Sequence, residues 1–93
     1  MLTLESIPIP NDNILSRIID DEAVLILPEQ GKVKVINEVG AAIWTLLDGK
    51  NSIQQIIEEI CTQFDVDEAT AEMDTLKFIG DLIEREIVRI AGS

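Results

Sequence analysis

The pattern of apolar and polar residues changes character near Asn37. Before this position the apolar residues are mostly β-branched and fall in short runs, which predict strands at 14–19, 23–27 and 32–36. Short polar turns separate the runs, so we expect an antiparallel meander. The second run is apolar throughout, and its strand should be central and covered.

After Asn37 the apolar residues recur at helical spacing and predict three helices. Asn37, Ser52 and Asp67 are the expected N-caps because their side chains can accept hydrogen bonds from free amides of a first helical turn. Gln55 stands three residues after Ser52, which is the spacing of a capping box. The pattern therefore fixes where each helix begins.

The ends of the elements are predicted from turn residues. Gly49 is placed for a left-handed cap that ends the first helix, and the third helix should run to about Glu86. A final extended piece is expected at 87–90. The fold class is α+β: a three-stranded antiparallel sheet followed by three helices, spanning residues 14–90 as a single domain.

The two ends of the chain are predicted to lie outside that domain. Residues 1–13 contain two of the three prolines, which disfavour helix and remove backbone donors, so we expect a loosely held, flexible arm with at most one short extended piece. Residues 91–93 form a tail.

The composition excludes several functions. The net charge of −11 argues against binding to nucleic acid or to an anionic membrane surface. The absence of His and the single Cys61 leave no nucleophile pair, no metal site and no cofactor ligand set, so we expect no catalytic residues. One cysteine, with no signal peptide and no membrane span in the sequence, is typical of the cytoplasm.

The third helix carries two apolar stripes, although a terminal helix usually buries one. One stripe suits the core. The second, Met73, Leu76, Gly80 and Ile83, either packs on the sheet or on another copy of the chain, or forms a groove for a partner's apolar side chains.

The third strand lies at a sheet edge in the predicted meander, so its backbone can pair with an extended peptide. Lys32 and Lys34 on one face of this strand could favour an acidic residue in the partner, although edge lysines also serve simply to prevent aggregation. The candidate peptide-binding residues are Lys32, Val33, Lys34, Val35, Ile36, Met73, Leu76, Lys77, Gly80 and Ile83.

The segment from Asn37 to Gly49 resembles the N-x-x-G-A-x-I-W-x-L-L-D-G motif of PqqD-like proteins. The stretches 52–57, 64–66 and 74–82 are similar to the segments that follow it in that family, so the resemblance covers about residues 14–90. The chain departs from the family at Glu86 and Ile87, where Gly-Leu is common. The single Trp44, inside the motif, is expected to anchor the core.

The resemblance implies a winged helix-turn-helix-like domain that recognises precursor peptides. Such a domain binds the leader of a ribosomally synthesised precursor as an added strand and presents it to a modifying enzyme, either a radical S-adenosylmethionine (SAM) protein or a leader peptidase or cyclase. We therefore expect a non-catalytic peptide chaperone. The alternative is a structural or regulatory domain that dimerises through the third strand or helix, which makes a homodimer a further candidate assembly.

Overall fold

The computed structural model describes residues 2–28 and 30–91. Within them the elements are, in chain order, β1 (Pro8–Pro10), β2 (Leu15–Ile19), β3 (Glu22–Leu27), β4 (Lys32–Ile36), α1 (Glu38–Thr45), α2 (Ile53–Phe64), α3 (Glu68–Glu84) and β5 (Val88–Ile90). Strands β2, β3 and β4 form an antiparallel sheet with β3 in the centre, whereas β1 and β5 form a separate antiparallel ribbon. The predicted α+β fold, three strands followed by three helices, is confirmed; the ribbon is additional to it.

Each helix begins at its predicted N-cap. The Gly40 amide donates to Asn37 Oδ1 over 2.9 Å, and the Thr70 amide donates to Asp67 Oδ1 over 2.7 Å. The capping box is complete, since the Gln55 amide donates to Ser52 Oγ and the Ser52 amide donates to Gln55 Oε1. These contacts satisfy donors that a helix leaves free in its first turn.

The first helix is shorter than the sequence predicts. It ends at Thr45, so Gly49, although its φ is +80°, lies in the loop beyond the helix and is not its cap. The loop is turned instead by Asp48, whose Oδ1 accepts from the amides of Lys50 and Asn51. A side chain that hydrogen-bonds the backbone two or three residues ahead competes with continued helix.

The other two helices are followed within two residues by a left-handed residue that is not glycine. Asp65, with φ of +52°, caps α2. Helix α3 ends at Glu84, two residues earlier than predicted, and Glu86, with φ of +61°, turns the chain into β5.

The sheet buries only one face. Ala23, Leu25 and Leu27 on β3 are 0–4% exposed and face the helices. Val24 and Ile26, between them, face outward, so the prediction that β3 is covered holds for one side only. The outer face is nevertheless apolar, because Ile26 is paired in register with Leu15 and Val33 on its two neighbours. The apolar run in β3 therefore reflects an exposed aliphatic face, not a second covering layer.

The core lies between the inner sheet face and the three helices. Trp44 is 9% exposed, as its predicted core position requires. Most of the remaining core consists of aliphatic side chains that are 0–1% exposed: Leu25, Ile43, Ile53, Ile56, Ile57, Ile60, Ile79, Leu82 and Ile87.

The N-terminal segment is anchored, which corrects the expectation of a loosely held arm. The amides of Ile53 and Gln54 donate to the carbonyls of Ser6 and Leu4, each over 2.9 Å, and β1 pairs with β5. The prolines are tolerated because a two-stranded ribbon has edges where no backbone donor is needed. The segment thus caps α2 with its own carbonyls. The predicted tail falls mainly on residues 92–93, outside the described residues.

In the described part of the chain, no helix has the length and apolar character needed to cross a bilayer.

Candidate functional site

Strand β4 presents an open edge. Its one partner within residues 2–28 and 30–91 is β3, so the backbone groups on its other side are free to pair. Val33 and Val35 point outward and are 62% and 66% exposed, whereas Ile36 is buried and Lys34 is half-buried on the inner face. An added strand on such an edge gains backbone hydrogen bonds along its whole length.

Helix α3 approaches this edge through an ion pair. Lys34 Nζ lies 3.6 Å from Asp81 Oδ2, and Arg85 Nε lies 3.1 Å from the same oxygen. The central residue of β4 is therefore tied to α3. Because the Lys34 charge is already partnered by Asp81, it gives little support to the expectation that this lysine favours an acidic peptide. Lys32 remains exposed.

An open depression of about 800 Å³ lies between the start of α1 and α3. Its floor is mainly apolar and its rim is charged. The apolar lining comes from Val39, Gly40, Ile43, Leu76, Phe78 and Gly80, and the polar lining from Asn37, Asp74, Lys77, Asp81 and Glu84. A concave apolar surface with a few polar groups around it is the usual form of a site for side chains of a ligand.

Two glycines shape the depression in opposite ways. A Cβ at Gly40 would overlap Ile36 Cγ2 and stand 3.0 Å from Phe78 Cε1, so the absence of a side chain lets α1 approach β4 and α3 closely. A Cβ at Gly80 would meet no atom within 4 Å. Gly80 therefore keeps space open in the depression, whereas Gly40 allows α1 to pack tightly against β4 and α3.

The structure brings together only part of the predicted helix stripe. Leu76, Lys77 and Gly80 line the depression beside β4. Met73 does not line it and is 64% exposed, and Ile83 packs against the core. The side of α3 that faces α1 also carries Asp74, Phe78 and Asp81, because successive helical residues are rotated by about 100° and these positions lie to one side of the predicted stripe.

Sequence reasoning missed the contribution of α1 and of the charged rim. Gly40 was visible as a fixed glycine of the motif, and this was the signal that could have placed α1 at the site. Asp74, Phe78 and Glu84 carried no such signal, because their position depends on the rotation of α3 about its own axis.

In the described part of the chain, the two carboxyl groups with a lowered pKa, those of Asp48 and Asp67, lie outside the depression. Hydrogen bonds from Thr70 lower the pKa of Asp67 at the start of α3, and backbone amides of Asn51 and Lys50 lower that of Asp48. Both shifts belong to caps and turns. Among the described residues, no group of three metal-ligating side chains comes together. The depression and the β4 edge together offer a concave, partly apolar surface, charged side chains and free backbone groups.

The family model for coenzyme PQQ synthesis protein D (PqqD) matches residues 22–88. A PqqA binding protein from Xanthomonas oryzae pv. oryzae is 30% identical over 70 residues, which cover 75% of this chain and 74% of that protein. A PqqA binding protein from Xanthomonas axonopodis pv. citri is 29% identical over the same length.

Two solved structures are similar. TbiB1 in complex with the TbiA(beta) leader peptide has a TM-score of 0.79 and 32% identity, covering 91% of this chain and 96% of TbiB1. The PqqD truncation of Methylobacterium extorquens PqqCD, a stand-alone recognition element for ribosomally synthesised and modified peptides, has a TM-score of 0.79 and 22% identity, covering 96% and 95%. That second likeness supports the fold alone. The match over residues 22–88 shows that the chain belongs to the PqqD family.

Proposed function

We propose that this chain binds the leader of a ribosomally synthesised precursor peptide as an extra strand on β4 and presents it to a modifying enzyme. The observation that carries the proposal is the open β4 edge beside the depression between α1 and α3. The family of the chain supports it, as does its likeness to TbiB1, which was solved with a leader peptide bound.

The two parts of the site have different tasks. The β4 backbone gives affinity without selectivity, because every peptide offers the same amides and carbonyls. Selectivity comes from alternate side chains of the peptide that enter the depression. Burying one aliphatic side chain there contributes about 1.5–3 kcal/mol, so one or two anchors decide which peptides bind.

The chain itself performs no chemistry in this proposal. It has no His, and its one thiol, Cys61, is half-buried on α2. Cleavage or modification of the bound precursor falls to a separate maturation enzyme, a radical SAM protein or a leader peptidase. The complex would form in the cytoplasm, where ribosomes release precursor peptides. A test of this point is to incubate the purified chain with a precursor and follow the peptide's mass, which should not change.

The site can be tested with peptides and one substitution. We would select binders from a random-peptide display library, and measure their affinity, with that of the TbiA(beta) leader and of PqqA, by calorimetry. Gly80→Leu places a side chain in the depression from a Cβ that meets no atom within 4 Å, so the fold should persist while affinity falls at least about tenfold, the effect of one lost apolar anchor.

The matched control is Thr62→Leu, which adds an apolar side chain at an exposed position of α2, away from the depression. It should leave the affinity unchanged. If both variants bind the selected peptides as the parent does, the peptides bind elsewhere. If the chain sediments as a dimer that peptide cannot dissociate and no peptide is selected, the dimerising alternative is correct.

A further inference from the structure

Four charged residues of α3 at the rim of the depression form a row that a bound peptide would face. Asp74, Lys77, Asp81 and Glu84 follow one another at spacings of three, four and three residues, so they form a row along one side of α3. The row runs over eleven residues, which are ten rises of about 1.5 Å each, so it is about 15 Å long.

Only the ends of this row hold unpartnered acids. Asp81 is neutralised by Lys34 at 3.6 Å and Arg85 at 3.1 Å. Across residues 2–28 and 30–91, the ion pairs within 4.0 Å are these two, so the exposed carboxylates of Asp74 and Glu84 have no cation bound to them.

The middle of the row is cationic or neutral. Lys77 stands between Asp74 and Asp81, and the ammonium of Lys34 lies against Asp81. Leu76, Phe78 and Gly80 line the depression beside these groups. A cation from the peptide would be repelled here and would face an apolar surface, whereas an aliphatic side chain would be buried.

The spacing of the two end acids matches an extended peptide. Side chains at i and i+4 of a strand lie on one face and are about 13 Å apart, close to the length of the row. We propose that the groove selects leaders with the pattern cation, apolar, cation at alternate positions i, i+2 and i+4, with Lys or Arg opposite Asp74 and Glu84. This inference rests on the proposed function and reverses the preference for an acidic peptide that the lysines of β4 suggested.

The overall charge acts in the same direction. A chain with a net charge of −11 attracts cationic peptides before contact and raises their association rate, an effect that salt weakens. Each exposed ion pair at the rim should change Kd by no more than about fivefold. The pattern should therefore tune selectivity among peptides that already carry the apolar anchor.

The experiment is a display selection on the intact chain from a library of random 15-residue peptides, repeated at low and high salt. We expect Lys and Arg to be enriched at two positions four residues apart, on either side of an apolar residue. Replacing one of these cations with Gln should weaken binding about three- to fivefold at low salt and less at high salt.

Variants that reverse one charge distinguish contacts at the rim from the attraction exerted by the net charge of the whole chain. When the Asp74→Lys variant is the target of the selection, Asp or Glu should be enriched at one of the two positions that the parent fills with Lys or Arg. With the Glu84→Lys variant as the target, the same change should occur at the other position. Glu59→Lys, on the exposed side of α2, changes the net charge equally and should convert neither.

The outcomes distinguish the two proposals. Enriched peptides that lose affinity for Gly80→Leu but show no paired cations, or whose cations are unchanged by Asp74→Lys and Glu84→Lys, overturn the charge pattern and leave leader binding intact. A selection that yields no binder sensitive to Gly80→Leu overturns both.

Discussion

Alanine at Gly40 and alanine at Gly80 should change stability in opposite directions, although both glycines are helical and line the same depression. In a helix interior, Gly→Ala usually stabilises by about 1 kcal/mol, because alanine loses less backbone entropy on folding. At Gly80 a Cβ meets no atom within 4 Å, so this gain should be realised in full.

At Gly40 the same methyl group has no room. It would overlap Ile36 Cγ2 and stand 3.0 Å from Phe78 Cε1. Ile36 is 3% exposed and β-branched, so it cannot rotate into solvent to make space. Overpacking of this kind costs about 1–3 kcal/mol. Since Gly40 lies in the first turn of α1, the helical gain is small, and we expect a net loss of about 1–2 kcal/mol.

Urea titration followed by circular dichroism measures both variants on one scale. The midpoints should move apart by the equivalent of about 2–3 kcal/mol with unchanged slopes. In thermal melts, each kcal/mol corresponds to roughly 4–8 °C for a domain of this size. If Gly40→Ala is as stable as Gly80→Ala, then α1 is not held against Ile36 and Phe78, and the depression described between α1 and α3 has the wrong shape.

Three further substitutions test the fold. Trp44→Ala should cost about 3–5 kcal/mol and unfold much of the domain at 37 °C; calorimetric melting like the parent's would show that the ring is not in the core. Ser52→Ala breaks the capping box with Gln55 and should cost about 1 kcal/mol in urea titration, whereas Ser52→Asp should retain most of the parent's stability. The pKa of Asp67 is lowered from 3.8 by hydrogen bonds from Thr70, so its carboxylate stabilises the fold above that pH and the contribution is lost as the pH falls through the folded value. The stability of Asp67→Asn in urea titrations should therefore fall less steeply than the parent's as the pH drops below 3.8, and an equally steep fall would contradict this role.

The parts of the fold that local chemistry determines were predictable. Asn37, Ser52 and Asp67 cap their helices because each accepts from an amide only three residues away. Strands β2 to β5 lie within one residue of their predicted bounds because alternation and turn residues are local signals. The PqqD-like resemblance, carried by a motif of fixed spacing, is confirmed by the family match.

The parts of the fold that depend on residues distant in the sequence could not be predicted. The N-terminal arm is anchored by the first amides of α2 and by β5, partners more than forty positions away in the chain. The groove side of α3 was misjudged because the sequence does not show how α3 is turned about its own axis, and residues two positions apart, such as Asp81 and Ile83, lie on nearly opposite sides of a helix. The different tasks of Gly40 and Gly80 follow from atoms of Ile36 and Phe78, which lie on other elements, and a glycine in a sequence does not show which atoms approach it.

The ribbon of β1 and β5 sets the geometry of any tether. It places Pro8 directly opposite Ile90, and the chain before Pro8 turns from the ribbon to the first turn of α2, so the C-terminal end of β5 lies beside the N-terminal segment. An enzyme joined through a flexible linker at either end would therefore sample overlapping volumes around the domain. Its effective concentration at the bound peptide would be governed by the length of the linker, with little dependence on which end carries it.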